Sequence, residues 1–338
     1  MTTPVPAPWS VDVGRAEWVK ERLADLMAGT VSSIVPTGFD AYAQILHPVE
    51  TPIHGDQLVR WIDVAEWGAQ ALTARSQWLA VAMPEHKPQQ PRPWRSQGPA
   101  HGTLYLEDAR ALIEIAREFT ATPQQCWCCI WEGFGWWSRR SYGPQGSIEN
   151  DAPSPIPIEA KDWPMVHTRY RDYLLYEASL DASFMQAIQK LEGHSPNLWW
   201  PADRAWCVGT DIDAQSTFVG GSRALIDALL HSEALETFEV ESSDPVRIEL
   251  PKWMIDLVDR TVEELLATGG ATVQTSIGTV RFEFDPPRRR RRGSIRYEAQ
   301  VDERRGSSGS SPMSNGSSED LQRQVASRVE EGLRSLAT

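Results

Sequence analysis

Two aspartates separated by one residue, Asp211 and Asp213, follow an apolar segment and are the clearest candidates for chemistry. In phosphoryl transfer such a pair supplies a nucleophilic carboxylate and a neighbour that handles the proton. The hydroxyl residue expected two positions later is Gln215, and no downstream lysine with an acidic pair stands out. We therefore interpret the pair as turn aspartates that bond their own backbone. A hydrolase or phosphoryl-transfer enzyme using His194 or Glu132 as partner is the alternative.

Cysteines form the second candidate site, because Cys126, Cys128, Cys129 and Cys207 could meet if their strands pair. Thiolates of this kind favour zinc. However, the C-x-C-C order differs from the C-x2-C knuckle, and on a strand Cys129 points away from Cys126 and Cys128. Buried, unreactive thiols are the preferred interpretation. With no P-loop and no dinucleotide fingerprint in the chain, no metal or cofactor is expected.

Tryptophan is the third feature, since the chain has 15 tryptophans against 7 tyrosines and 8 phenylalanines. Large indoles ordinarily fill cores, but they also line grooves for peptides, sugars or bases. Trp136 and Trp137 follow a Gly-rich turn, and Trp199 and Trp200 precede an apolar strand. With catalytic signatures missing, these four indoles support the hypothesis of a non-catalytic binding protein with a Trp-rich surface.

Charge is unevenly distributed within a net charge of −13. Residues 1–250 contain 19 basic and 33 acidic side chains, so nucleic acid and anionic membranes are disfavoured as partners of this part. Five consecutive arginines, Arg288, Arg289, Arg290, Arg291 and Arg292, are most often a solvated loop. Alternatively, they contact nucleic acid or an acidic protein surface. A protein or a small ligand is the expected partner of the chain.

Localisation is predicted from what the sequence lacks. No apolar run is as long as a membrane span, and the N-terminal stretch has no basic-then-apolar order of a secretory signal. A cytoplasmic protein without a membrane partner is therefore expected.

Hydrophobic periodicity predicts the elements that must position these residues. Residues 10–245 are expected to form an α+β domain, a mixed or antiparallel sheet flanked by helices. Predicted helices cover 15–28, 60–68, 106–119, 183–191 and 222–230. Predicted strands cover 30–35, 41–46, 78–82, 126–131, 173–178, 205–210, 217–219 and 235–240. The Pro- and Gln-rich stretch 84–103 is interpreted as a long, mobile surface loop.

The remaining residues are predicted to form an appendage. Residues 251–302 are expected to be a small module of one helix and a β-hairpin, extended by a possible third strand. Residues 303–318 are rich in Gly and Ser and are predicted to be a flexible linker. Residues 319–337 form an amphipathic helix with an apolar stripe of Leu321, Val325, Val329, Leu333 and Leu336. The stripe packs on the same chain or on a partner, and the latter would make the protein a scaffold.

Two sequence segments, CWCCIWEGFG (126–135) and SPNLWWPADRAWCVGTDIDAQSTFVGGS (195–222), also carry a resemblance. Together they resemble a motif pair of uncharacterised bacterial proteins, over about residues 10–245. The resemblance implies a bacterial origin. It implies no catalytic residue, because no activity is known for that family.

Overall fold

The computed structural model describes residues 8–49, 58–94, 98–136, 141–142, 148–149, 154–246, 250–287, 293–301, 304–313 and 318–337. Its helices are α1 (Glu17–Arg22), α2 (Trp61–Trp67), α3 (Trp78–Ala82), α4 (Leu106–Ala116), α5 (Ala182–Lys190), α6 (Arg223–Leu230), α7 (Lys252–Thr268) and α8 (Ser318–Ala337). Its strands are β1 (Trp9–Ser10), β2 (Ala41–Leu46), β3 (Cys126–Trp131), β4 (Ser141–Tyr142), β5 (Ile148–Glu149), β6 (Val166–His167), β7 (Asp172–Ala178), β8 (Leu198–Pro201), β9 (Cys207–Gly209), β10 (Ser216–Gly221), β11 (Thr237–Val240), β12 (Gly270–Gln274), β13 (Gly278–Asp285), β14 (Ser294–Val301) and β15 (Arg304–Pro312). Helices and antiparallel sheets make this an α+β protein, as predicted.

The chain divides into two compact units. Unit 1 contains residues 1–47 and 100–247, and unit 2 contains residues 48–99 and 248–338. The predicted main domain, 10–245, is therefore interrupted: residues 48–99 belong with the C-terminal part of the chain. Unit 1 carries 14 basic and 27 acidic side chains, whereas unit 2 carries 19 of each. The entire net charge of the chain thus resides on unit 1.

Unit 1 is built on a nine-stranded antiparallel sheet with the order β1-β7-β3-β8-β9-β10-β2-β11, in which β6 also pairs with β7. Helices α4, α5 and α6 cover one face of this sheet and form the main core with it. Helix α6 begins where predicted, because the Ser222 hydroxyl accepts a hydrogen bond from the N–H of Leu225 at 3.3 Å. Alternate residues of β2, β3 and β7 contribute to this core, as the geometry of a strand requires.

The opposite face of the same sheet is covered by α1 and short 3-10 turns. Trp18 of α1 packs edge-on against Trp200 of β8, with ring centroids 5.8 Å apart. The strand predicted at 30–35 is wrong, because Val31–Ser33 is a 3-10 turn. Its backbone is instead held by hydrogen bonds to residues after β11, from Val31 N to Asp244 O at 2.9 Å among them. These distant partners are invisible to local periodicity.

Unit 2 contains a second antiparallel sheet in the order β12-β13-β14-β15, against which α7 and α8 pack. The flexible linker predicted at 303–318 is wrong over Arg304–Pro312, which forms β15. Tyr297 of β14 explains the Gly-rich sequence: a Cβ at the paired Gly309 would lie 2.4 Å from its ring. Glycine at this position lets the strand pair beneath the tyrosine.

The predicted helix at 319–337 is confirmed as α8, whose stripe is buried within unit 2. Val325, Val329, Leu333 and Leu336 are fully or almost fully buried. The stripe therefore docks on its own chain, so it offers no free apolar face for a scaffold. Of the described helices, none is both long and apolar enough to cross a membrane.

Two of four packed indoles from residues 48–99 bond to the end of α8. Trp61, Trp67, Trp78 and Trp94 form a chain of edge-to-face contacts with centroid separations of 5.3–5.4 Å. Trp78 and Trp94 donate their indole N–H groups to the carbonyl of Ala337 at 3.3 and 3.2 Å. The strand predicted at 78–82 is a helix, since so short an apolar run has no decisive period. Likewise, the predicted surface loop 84–103 contains the fully buried Trp94.

Candidate functional site

A cavity of about 400 Å³ lies in unit 1, on the sheet face that α1 covers. Such a volume suits a small molecule. Its walls come from the segment after α1 (Leu23 to Leu26), the 3-10 turn at Ser33 and Ile34, the β6–β7 turn, and the ends of β8 and β9. Five separate parts of the chain thus converge on one cavity.

The β6–β7 turn holds the polar groups of the cavity in place. Val166 pairs with Tyr173 and His167 with Asp172, which leaves residues 168–171 as the turn. Thr168 closes this turn twice: its N–H donates to the carbonyl of Arg171 at 2.9 Å, and its hydroxyl donates to the same oxygen at 2.8 Å. These hydrogen bonds fix the backbone at Arg171 and at the start of β7, where Tyr173 lies, without the help of a ligand.

The ends of two strands bring these groups to the cavity. Arg171 immediately precedes β7, whose second residue is Tyr173, and Asp211 lies two residues after Gly209, the last residue of β9. Gly209 allows the opposite wall to approach, because a Cβ there would lie 2.5 Å from the carbonyl oxygen of Ile34. Glycine at this position therefore allows the 3-10 turn at Ile34 to lie close to the sheet.

Arg171 is the central charge of the cavity. Its Nη2 lies 2.8 Å from Asp211 Oδ2, in a pair whose side chains are 12% and 15% exposed. The guanidinium also lies over the ring of Trp131, 5.6 Å from the centroid. Its Nε is buried without a hydrogen-bond partner, and its Nη1 makes no hydrogen bond to any described residue. Arg171 therefore keeps unused donor capacity in a mostly buried place.

Tyr173 adds a hydroxyl beside this guanidinium. The residue is only 8% exposed, and its hydroxyl forms no hydrogen bond with the described part of the chain. Burial raises the pKa of Tyr173, and the charge of Arg171 opposes that rise only in part. The phenol therefore stays protonated at neutral pH and is able to donate a hydrogen bond.

Two ion pairs and one His–Asp hydrogen bond involve residues that line the cavity. Asp25 pairs with Arg169, Lys20 pairs with Glu17 at 2.8 Å, and His167 contacts Asp172 at 2.8 Å. The N–H of Met27 lowers the pKa of Asp25, and the Tyr170 hydroxyl and Arg169 lower it further, so Asp25 is ionised. Two cations of the lining, Lys20 and Arg169, are therefore already paired with carboxylates of the chain.

Of the predicted catalytic residues, the structure brings only Asp211 into this cavity. Asp211 Oδ1 accepts the N–H of Asp213 at 2.9 Å, which confirms the predicted turn in which the pair bonds its own backbone. Asp213 is 66% exposed, and neither it, Glu132 nor His194 lines the cavity. The His194 ring instead packs against Phe134, with centroids 4.2 Å apart. The predicted constellation is therefore not assembled here.

The predicted Trp-rich surface is wrong for the indoles that the structure describes. Trp136, Trp199 and Trp200 are at most 2% exposed, while Trp137 lies outside the described residues. Trp199 packs on Phe184 and Trp206 in the core, and Trp136 donates its indole N–H to the carbonyl of Trp131 at 2.9 Å. Indoles with such partners cannot form a binding surface without unfolding the sheet around them.

All four cysteines are buried free thiols, in agreement with the preferred interpretation. Cys126 and Cys128 face the core under α4 to α6, whereas Cys129 does not belong to that cluster. Burial raises the pKa of Cys128, Cys129 and Cys207 well above the ordinary value. Among the described residues, no three His, Cys, Asp or Glu side chains are grouped so as to hold a metal ion. Arg288 to Arg292 lie outside the described residues.

The sequence does not single out Arg171, because it lies in a turn, nor Tyr173, because it reads as an ordinary residue of a predicted strand. The one signal is the stretch His167 to Asp172, in which Arg169, Tyr170 and Arg171 stand immediately before that strand. Only the pairing of β6 with β7 shows that this stretch is a tight turn beside Asp211.

Replacing Asp211 by alanine is expected to lower the free energy of unfolding by about 3 kcal/mol, because it leaves Arg171 mostly buried and without a counterion. Urea unfolding followed by circular dichroism measures this loss. Asp213→Ala is the matched control, since Asp213 is 3.6 Å from Arg171 and 66% exposed. We expect its effect to stay within about 0.5 kcal/mol. Equal losses in the two variants would contradict the assignment of Asp211 as the residue that positions Arg171.

No protein-family model, curated protein or solved structure matches this chain significantly.

Proposed function

We propose that the chain is a non-catalytic binding protein and that unit 1 holds a small organic anion in its cavity. One observation carries the proposal: Arg171 is mostly buried at the cavity, yet within the described part of the chain only one of its three guanidinium nitrogens makes a hydrogen bond. Nearly every buried polar group in a folded protein has a partner, and Nε has none among the described residues. A ligand oxygen would accept from the other unused nitrogen, Nη1, and charge-assisted hydrogen bonds of this kind are the strong ones.

Tyr173 supports the same proposal independently. Its protonated hydroxyl also lacks a hydrogen-bond partner among the described residues and lies in the same cavity. A guanidinium and a phenol side by side match an anion with two acceptor oxygens. The fixed turn and the pair with Asp211 mean that the donors need little reorganisation on binding.

Binding is favoured over hydrolysis by the state of Asp211. One of its oxygens accepts the N–H of Asp213, and the other faces Arg171. A carboxylate whose two oxygens are both held by donors of the chain is poorly placed to attack a substrate or to take its proton. The proposed roles are therefore that Arg171 and Tyr173 contact the anion and that Asp211 positions Arg171.

Three other hypotheses about the protein come from its sequence. The resemblance to a bacterial family and a contact of Arg288 to Arg292 with nucleic acid or an acidic surface stay predictions. A scaffold role loses its structural basis, because the apolar stripe of α8 is buried in unit 2.

Acetate and hexanoate are suitable probes, titrated at constant ionic strength into the full chain labelled with 15N. We expect saturable shifts of the amide signals of residues 168–173. Arg171→Lys keeps a cation for Asp211 but lacks the second nitrogen, and should weaken binding by about tenfold. Tyr173→Phe removes one hydroxyl and should weaken it by about three- to tenfold.

Arg223→Lys is the matched control, because Arg223 is an exposed arginine of unit 1, paired with Glu239, that does not line the cavity. It should bind both probes as the unchanged protein does. The proposal fails if neither probe produces a saturable shift at residues 168–173, or if all three variants bind equally.

A further inference from the structure

The cavity has an apolar part as well as a polar one. Leu23 and Leu26 come from the segment after α1, Ile34 from the 3-10 turn, and Leu198 from β8. Ile34 and Leu198 are buried, and Leu198 lies on the same face of the sheet as Tyr173. Besides the donors of Arg171 and Tyr173, a ligand in the cavity therefore meets four aliphatic side chains.

The charges of the cavity limit the charge of its ligand. Its lining contains three permanent cations, Lys20, Arg169 and Arg171, each of which already faces a carboxylate. Two of those carboxylates, Asp25 and Asp211, line the cavity themselves. A dianion would be repelled by both, whereas a single negative charge needs only the unused donors of Arg171 and Tyr173.

The geometry points to a monocarboxylate with an aliphatic or aromatic body as the ligand, which rests on the proposed function of the cavity. One carboxylate oxygen accepts from Arg171 Nη1, and the other accepts from the Tyr173 hydroxyl. The apolar body lies against Leu23, Leu26, Ile34 and Leu198. Inorganic phosphate and phosphate esters are disfavoured by their second charge, because the other cations of the lining, Lys20 and Arg169, are already paired with carboxylates.

Lengthening the probe tests this assignment. Acetate, butanoate and hexanoate are titrated into the full chain, with inorganic phosphate and hexylammonium as comparison probes. Each methylene buried against the aliphatic wall should tighten binding about fourfold, so hexanoate should bind at least about tenfold more tightly than acetate. Phosphate should bind more weakly than hexanoate, and hexylammonium should not shift the signals of residues 168–173.

Leu23→Asn makes the aliphatic wall polar, and Leu26→Asn is a second variant in case the first fails to fold. Either should reduce the gain in affinity from acetate to hexanoate to about threefold or less. Equal affinities of the three carboxylates, or tighter binding of phosphate than of hexanoate, would overturn the ligand class and leave an anion site in place. Absence of binding by every anionic probe would remove both proposals together.

Discussion

Replacing Trp206 by alanine is expected to lower the free energy of unfolding by about 3–5 kcal/mol, the largest effect of any single substitution considered for unit 1. Trp206 is fully buried between the sheet and α4. Its ring meets Trp199 edge-on with centroids 5.2 Å apart, and its N–H donates to the Ala116 carbonyl at 3.0 Å. Alanine removes the packing, leaves a cavity and takes away that hydrogen bond.

Urea unfolding of the full chain, followed by far-ultraviolet circular dichroism, measures the loss. Trp206→Phe keeps most of the packing and removes the N–H, so its loss should be about half as large. Trp163→Ala is the matched control, because Trp163 is a half-buried indole at the edge of the same core. A loss below about 1 kcal/mol for Trp206→Ala would show that this indole does not support the core as described.

Acidification is expected to destabilise the protein through His47, by about 2 kcal/mol between pH 7 and pH 5. His47 is fully buried, and burial lowers its pKa to about 4, with His101 acting in the same direction. Its Nδ1 donates to the Ala100 carbonyl at 2.8 Å, and its Nε2 accepts from the Thr217 hydroxyl at 2.9 Å. The folded protein therefore holds the neutral ring.

Stability falls as the pH falls because the folded and unfolded states bind different numbers of protons. In the unfolded chain His47 titrates near its ordinary pKa of 6.5, so below that pH the unfolded state binds a proton that the folded state does not bind. The stabilisation is complete above pH 6.5 and is lost as the pH falls to about 4. Carboxylates contribute their own pH dependence, so the comparison must be made with a variant that lacks only the imidazole.

His47→Asn provides that comparison, because its amide is still able to donate toward the Ala100 carbonyl. Urea midpoints of both proteins are measured between pH 7 and pH 4.5. The stability of the unchanged protein should fall more steeply, by close to one extra proton bound on unfolding. Parallel curves would contradict a neutral His47 in the folded state.

Arg171 gives the cavity a different chemistry from the one that Asp211 and Asp213 suggest by themselves. In an exposed Asp-x-Asp pair, a carboxylate is able to act as a nucleophile or to bind a metal ion. Held against Arg171 at 2.8 Å, Asp211 becomes the group that orients a cation. The chemistry of a carboxylate thus depends on which neighbour the fold brings to it, and that neighbour is 40 residues away in the chain.

Much of unit 1 follows from its sequence, since β3 and β7 have the apolar, β-branched and aromatic composition of strands and α4 and α6 show clear helical periodicity. The turn at Asp211 follows as well, because an aspartate bonding the backbone two residues ahead is a local interaction. Such an interaction can be predicted because both partners lie within a few residues of each other in the sequence.

Pairing between segments that are distant in the chain is not predicted by local sequence patterns. Residues 304–312 look like a linker, and they form a strand because β14 offers a free edge and Tyr297 covers Gly309. Residues 48–99 join unit 2 because two of their four packed indoles bond to the end of α8. In both cases the partner is far along the chain, and propensity yields to tertiary contacts.

The α+β class, the strands at 126–131 and 173–178, the buried thiols and the aspartate turn can all be predicted from the sequence, because each depends on composition or on neighbours within a few residues. That the indoles fill cores, and that Arg171, Tyr173 and Asp211 share one cavity, becomes visible in the folded chain. Burial and the pairing of charges are properties of surfaces brought together from distant segments, and no local pattern records them.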